Sequence, residues 1–145
     1  MKLKDILKNK GTKVWTIEAN QKIQDALQIL FNQKIGALVV IDEKEHIAGI
    51  ISERDIVRAC YRKSSGLNST LVSELMTKKV ITASSEDNVK DIMQVMTENR
   101  IRHIPVVNEG KLDGIVSIGD VVKLLLEDSE HQIRSLKEYI YGSNL

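Results

Sequence analysis

The apolar positions of this chain change period several times, and the changes recur. Ile23, Ala26, Leu27, Leu30 and Phe31 fall at helical spacing, as do Val89, Ile92, Met93 and Met96, so two amphipathic helices are predicted. Just before them, Thr16 and Thr82 stand in short β-branched stretches that read as strands. After each helix comes a short apolar run, "ALVVI" or "IPVVN", then a polar turn, "DEKEH" or "NEGK", then a further strand, "IAGIIS" or "LDGIVS". Turns of this length favour hairpins. A second helix closes each set, "ERDIVRACYR" in one and "IGDVVKLLLED" in the other, so a βαββα unit is written twice.

The two copies align residue by residue. Residues 14–42 lie over residues 80–108 at an offset of 66, pairing Val14 with Val80, Asp25 with Asp91, Ile35 with Ile101 and Val40 with Val106. One extra residue in the first polar turn lowers the offset to 65, so Gly49 matches Gly114, Ser52 matches Ser117 and Asp55 matches Asp120. "LKDIL" and "VSELM" look like matching lead-in turns of helix. One unit is too short to cover its own sheet and helices, whereas two can pack sheet against sheet about a pseudo two-fold axis. The expected fold is therefore α/β, one intertwined module. Its boundaries are a first repeat with lead-in over 1–63, a second over 71–128, and a C-terminal helix over 129–145, with "KSSGLNST" as the linker. In the tail, Ile133, Leu136 and Ile140 make one helical stripe ending near Gly142.

Composition narrows the function classes. Lysine and arginine total 21 against 20 acidic residues, a net charge of +1, so no global field recruits nucleic acid or an anionic membrane. No apolar window approaches the length of a membrane span, and a single cysteine, Cys60, allows no internal disulfide; a cytoplasmic protein is expected. GxxxxGK[ST], GxGxxG and HExxH are all absent, and His46, His103 and His131 lie far apart, so neither catalysis nor a metal or required cofactor is expected.

What remains is the repeated SxxD. Ser52 and Ser117 each end a strand and precede a helix, so each suits a helix cap, with Asp55 and Asp120 as capping-box partners. The same place also suits an anion: a helix N-terminus offers free N–H groups, and an ionised aspartate accepts from paired hydroxyls such as those of a ribose. The copies differ around this motif. Arg54 stands in the first where Gly119 stands in the second, and Arg102 and His103 replace Gly36 and Ala37. If the clefts face each other, Arg54 and the Arg102–His103 pair converge on one phosphate from opposite sides.

The motifs "IGALVVID" with "GIISERDIV", and "RIRHIPVV" with "GKLDGIVSIGDVVK", resemble the tandem CBS-domain family, named for cystathionine β-synthase, over nearly the whole chain. The resemblance implies a small stand-alone regulatory module that senses an adenosine-containing ligand, AMP, ADP, ATP, NAD or S-adenosylmethionine, in clefts between the repeats. It implies further that Asp55 and Asp120 hold the ribose, that Ser52 and Ser117 approach the phosphate, and that two modules form a homodimer, a four-repeat disc acting in energy sensing on an unidentified regulated protein. For the adenine, the matching slots are Thr16 and Ile17 with Ala37 and Leu38, or Thr82 and Ala83 with Ile104 and Pro105. The rival reading is a protein-interaction adaptor with unoccupied clefts, resting on the tail stripe.

Overall fold

The duplicated pattern folds as duplicated structure. The computed structural model describes residues 1–142. It opens with α1 (Leu3–Lys10), followed by the first repeat: β1 (Thr16–Glu18), α2 (Ile23–Gln33), β2 (Ala37–Ile41), β3 (Ile47–Ser52) and α3 (Glu53–Arg62). A short α4 (Val72–Leu75) leads into the second: α5 (Val89–Asn99), β4 (His103–Asn108), β5 (Lys111–Ser117) and α6 (Ile118–Tyr141). This is the expected mixed α/β architecture. β2 joins β1 in parallel and β3 antiparallel, and β4 and β5 form the matching antiparallel pair.

Thr82 does not lie in a strand, contrary to the sequence expectation. Only Ala83 reaches the sheet edge, where its N–H donates to the Pro105 carbonyl at 3.0 Å and its own carbonyl accepts from Val107 N–H at 2.8 Å. In the first copy "TIE" sustains a strand, whereas "TASS" continues into small polar residues that favour turns over a pleated edge. The two hairpins form as read. Asn108 and Lys111 are paired across Glu109 and Gly110, both at positive φ (50° and 77°), which is the two-residue turn whose twist matches the strands. The expected separate tail helix over 129–145 is instead the continuation of "IGDVVKLLLED" in the single helix α6, which ends at Tyr141 with Gly142 (φ 82°) as its cap; residues 143–145 lie outside the described residues.

The helix ends repeat faithfully. Lys34 after α2 and Arg100 after α5 occupy the same left-handed conformation, φ 53° and 54°, although neither is glycine. A side chain there costs of order 1 kcal/mol, so both copies carry a strained long cation where the chain turns into its buried strand.

Two apolar cores result, and the lead-in helices cross between them. Leu3, Ile6 and Leu7 of α1 are buried with Val89, Ile92, Met96, Ile104 and Val116 of the second repeat. Val72 of α4, with Leu75 and Met76 beside it, packs with Ile17, Ile23, Leu38 and Ile51 of the first. Each repeat is thus sealed by the segment that precedes the other. The close fit is visible at two equivalent glycines. A Cβ on Gly114 would lie 2.7 Å from Leu7 Cδ2, and one on Gly49 would lie 2.7 Å from Met76 Sδ and 2.8 Å from the Thr77 carbonyl oxygen. Leu7 can change rotamer, but the Thr77 carbonyl is backbone and accepts from Ile50 N–H at 3.0 Å. Gly49→Ala is therefore expected to cost about 2–3 kcal/mol in urea unfolding and Gly114→Ala about 1, and equal losses would show that the two seals are equally compliant.

Candidate functional site

Where β2, β3 and α3 of the first repeat meet the entry to the second, a cavity of about 200 Å³ opens. Ser52 ends β3 and caps α3: its hydroxyl accepts from Asp55 N–H at 3.4 Å, and Asp55 Oδ2 accepts from Ser52 N–H at 2.9 Å. The cap therefore exists as read, and among the described residues Asp55 keeps its other carboxylate oxygen free of any hydrogen bond. Half-buried, it faces the cavity beside Arg54 and Arg58. The opposite wall comes from the second repeat, where Arg100, Ile101, Arg102 and His103 lead from the end of α5 into β4. Lys79, Val80 and Ile81 form a third side, and Ala37 and Ile50 form the floor.

Ala37, Ser52, Arg54, Asp55, Arg102 and His103 all line this cavity, which thus carries arginines of both copies. Thr16, Thr82 and Ile104 do not line this cavity. Thr16 is paired with Val39 in β1, Thr82 is exposed on the chain leading to Ala83, and Ile104 is fully buried in the second core. Lys79, Arg58 and Arg100 were missed. Lys79 lies just before the second repeat's aligned block, and nothing in its local pattern separates a cleft lysine from a solvated one.

Ser117 and Asp120 sit differently. Ser117 caps α6 as Ser52 caps α3, accepting from Asp120 N–H at 3.1 Å while Asp120 Oδ2 accepts from Ser117 N–H at 2.9 Å. But Asp120 is also taken by Lys10 at the end of α1, whose Nζ donates to Oδ2 at 2.6 Å and to the Ile115 carbonyl at 3.0 Å. Burial alone would raise the Asp120 carboxyl, but the hydrogen bonds from Lys10 and Ser117 and the charge of Lys10 outweigh it and hold the group below the ordinary range. The second SxxD is filled by the chain's own lysine.

His103 stands between the two motifs. It pairs with Ser117 across β4–β5, and its ring lies so near Gly36 that a Cβ there would be 3.2 Å from Cε1. Burial, and then the charge of Lys10, press its pKa below the ordinary histidine value; Asp120 pulls the other way, and Arg102 adds to the lowering. The imidazole is consequently neutral near pH 7. Among the described residues no cluster of acidic, histidine or cysteine side chains could hold a metal ion, and no helix is long and apolar enough to cross a membrane.

With this geometry in place, comparison with known proteins is direct. The family model for the CBS domain matches residues 3–62 and 72–127. The chain is 37% identical over 149 aligned residues to the CBS domain-containing protein CBSX3, mitochondrial, of Arabidopsis thaliana, covering 97% of this chain and 72% of that one. The CBS-domain protein ATU1752 of Agrobacterium tumefaciens is 40% identical with a TM-score of 0.82, covering 84% and 91% of the two chains. The CBS domain pair of protein MJ0100, solved with 5′-methylthioadenosine and S-adenosyl-L-methionine, is 29% identical with a TM-score of 0.77, covering 88% and 98%. This chain belongs to the CBS-domain family. It is a tandem pair of such domains.

Two solution measurements follow. A histidine whose folded pKa is depressed lends stability that is full above its ordinary value of about 6.5 and is lost as pH falls through that value. Unfolding free energy should therefore drop between pH 7.5 and 5.5 in the native chain and drop less in His103→Gln. Lys10→Met should cost about 0.5–1 kcal/mol at pH 7, because its ion pair is partly exposed. The same ion pair protects the fold at neutral pH and loses this effect as acid protonates Asp120.

Proposed function

We propose that this CBS pair is a regulatory module that binds an adenosine-containing nucleotide in the cleft lined by Asp55, and is not itself a catalyst. The observation that carries this reading is the convergence of a free carboxylate oxygen, an apolar slot and cations from both repeats on one cavity. Asp55 accepts the ribose hydroxyls. The half-buried Val80 and Ile81, with Ala37 and Ile50, offer the base a flat apolar surface, and the N-terminus of α3 with Arg54 and Arg102 faces the phosphate. No second group is required for binding; the nucleotide, AMP, ADP, ATP or NAD, is ligand and signal together. The MJ0100 pair, with its methylthioadenosine and S-adenosylmethionine, supports adenosine as the shared element.

Binding turns into a signal by fixing the angle between the repeats, since the cavity walls come from both. Such a switch needs different affinities in its two states. A second copy of the chain is the expected first partner, in a homodimer. Phe31 is 83% exposed, Val57 68% and Tyr61 93%, and on α6 Ile133, Leu136 and Ile140 are 52–61% exposed. The regulated protein would then read the four-repeat assembly. We place this activity in the cytoplasm on the sequence reading alone; the relative CBSX3 is named as mitochondrial. The adaptor reading rests on the same exposed tail stripe.

Nucleotide-stripped protein should gain about 2.7 kcal/mol of stability at a hundredfold excess of ligand over its dissociation constant, read as a rise in melting temperature across AMP, ADP, ATP, NAD and S-adenosylmethionine. Asp55→Asn keeps an acceptor for Ser52 N–H and should remove that rise, whereas Asp120→Asn should leave it. If no ligand moves the melting temperature, the sensor reading fails and the adaptor reading takes its place. Truncation after Asp128 should lower the sedimenting mass from dimer to monomer, and an unchanged profile would remove the tail from the interface.

A further inference from the structure

Five side chains with permanent charge, Arg54, Arg58, Lys79, Arg100 and Arg102, line the cavity of the Asp55 cleft. None of them makes an ion pair within 4.0 Å among the described residues; the salt bridges there join Lys2 and Lys4 to Glu86, Lys10 to Asp120, and His46 to Asp42. The carboxylates on the same lining are Glu53 and Asp55, so three positive charges are left uncompensated. This concentration sits in a chain whose net charge is only +1.

From these observations the geometry points to a ligand class: the cleft selects an adenosine polyphosphate, with two or more phosphates, over sulfonium or neutral adenosines. The inference rests on the adenosine reading of the cleft and deepens it. A terminal phosphate carries nearly −2 at neutral pH, and each inner phosphate adds one further charge, so a diphosphate or triphosphate matches three uncompensated cations. A nucleoside monophosphate leaves part of the cluster repelling itself. S-adenosylmethionine brings a positive sulfonium into it, and methylthioadenosine brings no charge. A second cavity of about 210 Å³ shares Asp55 and Arg58 with the first and is lined further on by Arg62 and Lys63 opposed by Glu74, so the cations along α3 outnumber the carboxylates there by one.

The test is isothermal titration of the stripped full chain with ATP, ADP, AMP, adenosine, S-adenosylmethionine, methylthioadenosine and inorganic tripolyphosphate, without added divalent metal, at low and at physiological salt. Charge-assisted bonds to two further phosphates predict ATP at least about tenfold tighter than AMP, with S-adenosylmethionine and methylthioadenosine weaker still. Added salt should weaken ATP and leave adenosine unchanged. Lys79→Ala and Arg58→Ala, both at exposed positions, should each lower ATP affinity about tenfold without altering that of adenosine. Methylthioadenosine or S-adenosylmethionine binding as tightly as ATP overturns the inference and leaves the adenosine cleft standing. Tripolyphosphate equal to ATP supports the anionic subsite and removes adenosine recognition, and no binding by any ligand overturns both.

Discussion

Neither half of this molecule can cover itself. A βαββα unit of this length leaves one apolar surface open, and the chain closes it by lending each half the helix that precedes the other. Leu3 and Val72, each fully buried, are the matching keystones, one in each core. At roughly 2 kcal/mol for each buried aliphatic side chain, three such residues of α1 are a substantial share of the stability of an ordinary small domain. This cross-over also draws the two motifs close to the seam. Thr77, Lys79, Val80 and Ile81, which line the cleft, run directly on from the segment that carries α4 to the first core.

Duplication supplied two geometries, and charge has made them unlike. Both copies cap a helix with serine and aspartate, yet one aspartate faces a cavity and the other faces Lys10. The difference does not lie in the motif. It lies in what each lead-in segment delivers: α1 ends in a lysine that closes on Asp120, and the segment after α4 brings Lys79 to a cavity it does not fill. His103, beside Gly36 on the first side, feels the charges of Lys10 and Asp120 on the second.

Periodicity and repetition made most of the architecture legible, because amphipathic spacing and turn chemistry are local. The missing strand at Thr82 was not, since the alignment carried β character from "TIE" onto "TASS" when only the edge contact of Ala83 survives. Part of the cleft was legible too. Arg54, Arg102 and His103 stood out because they broke the symmetry of the copies. Lys79 and Arg58 stayed hidden for the opposite reason. On a sequence, a cleft cation and a solvated one look alike, and only the crossing of the lead-in segments decides which is which.

The crossing also imposes an order in time. The first core holds all its parts once α4 (Val72–Leu75) and Met76 have been synthesised, whereas the core that seats α1, finished at Lys10, is complete only after β5, which begins at Lys111. At 5–20 residues per second, that interval of about a hundred residues lasts roughly 5 to 20 seconds. Until residues from Ala83 onward are made, Leu3, Ile6 and Leu7 have none of their core partners to bury them, beside a half that is already closing. Lys10 and Asp120, 110 residues apart, can pair only after nearly all of the second repeat has been made.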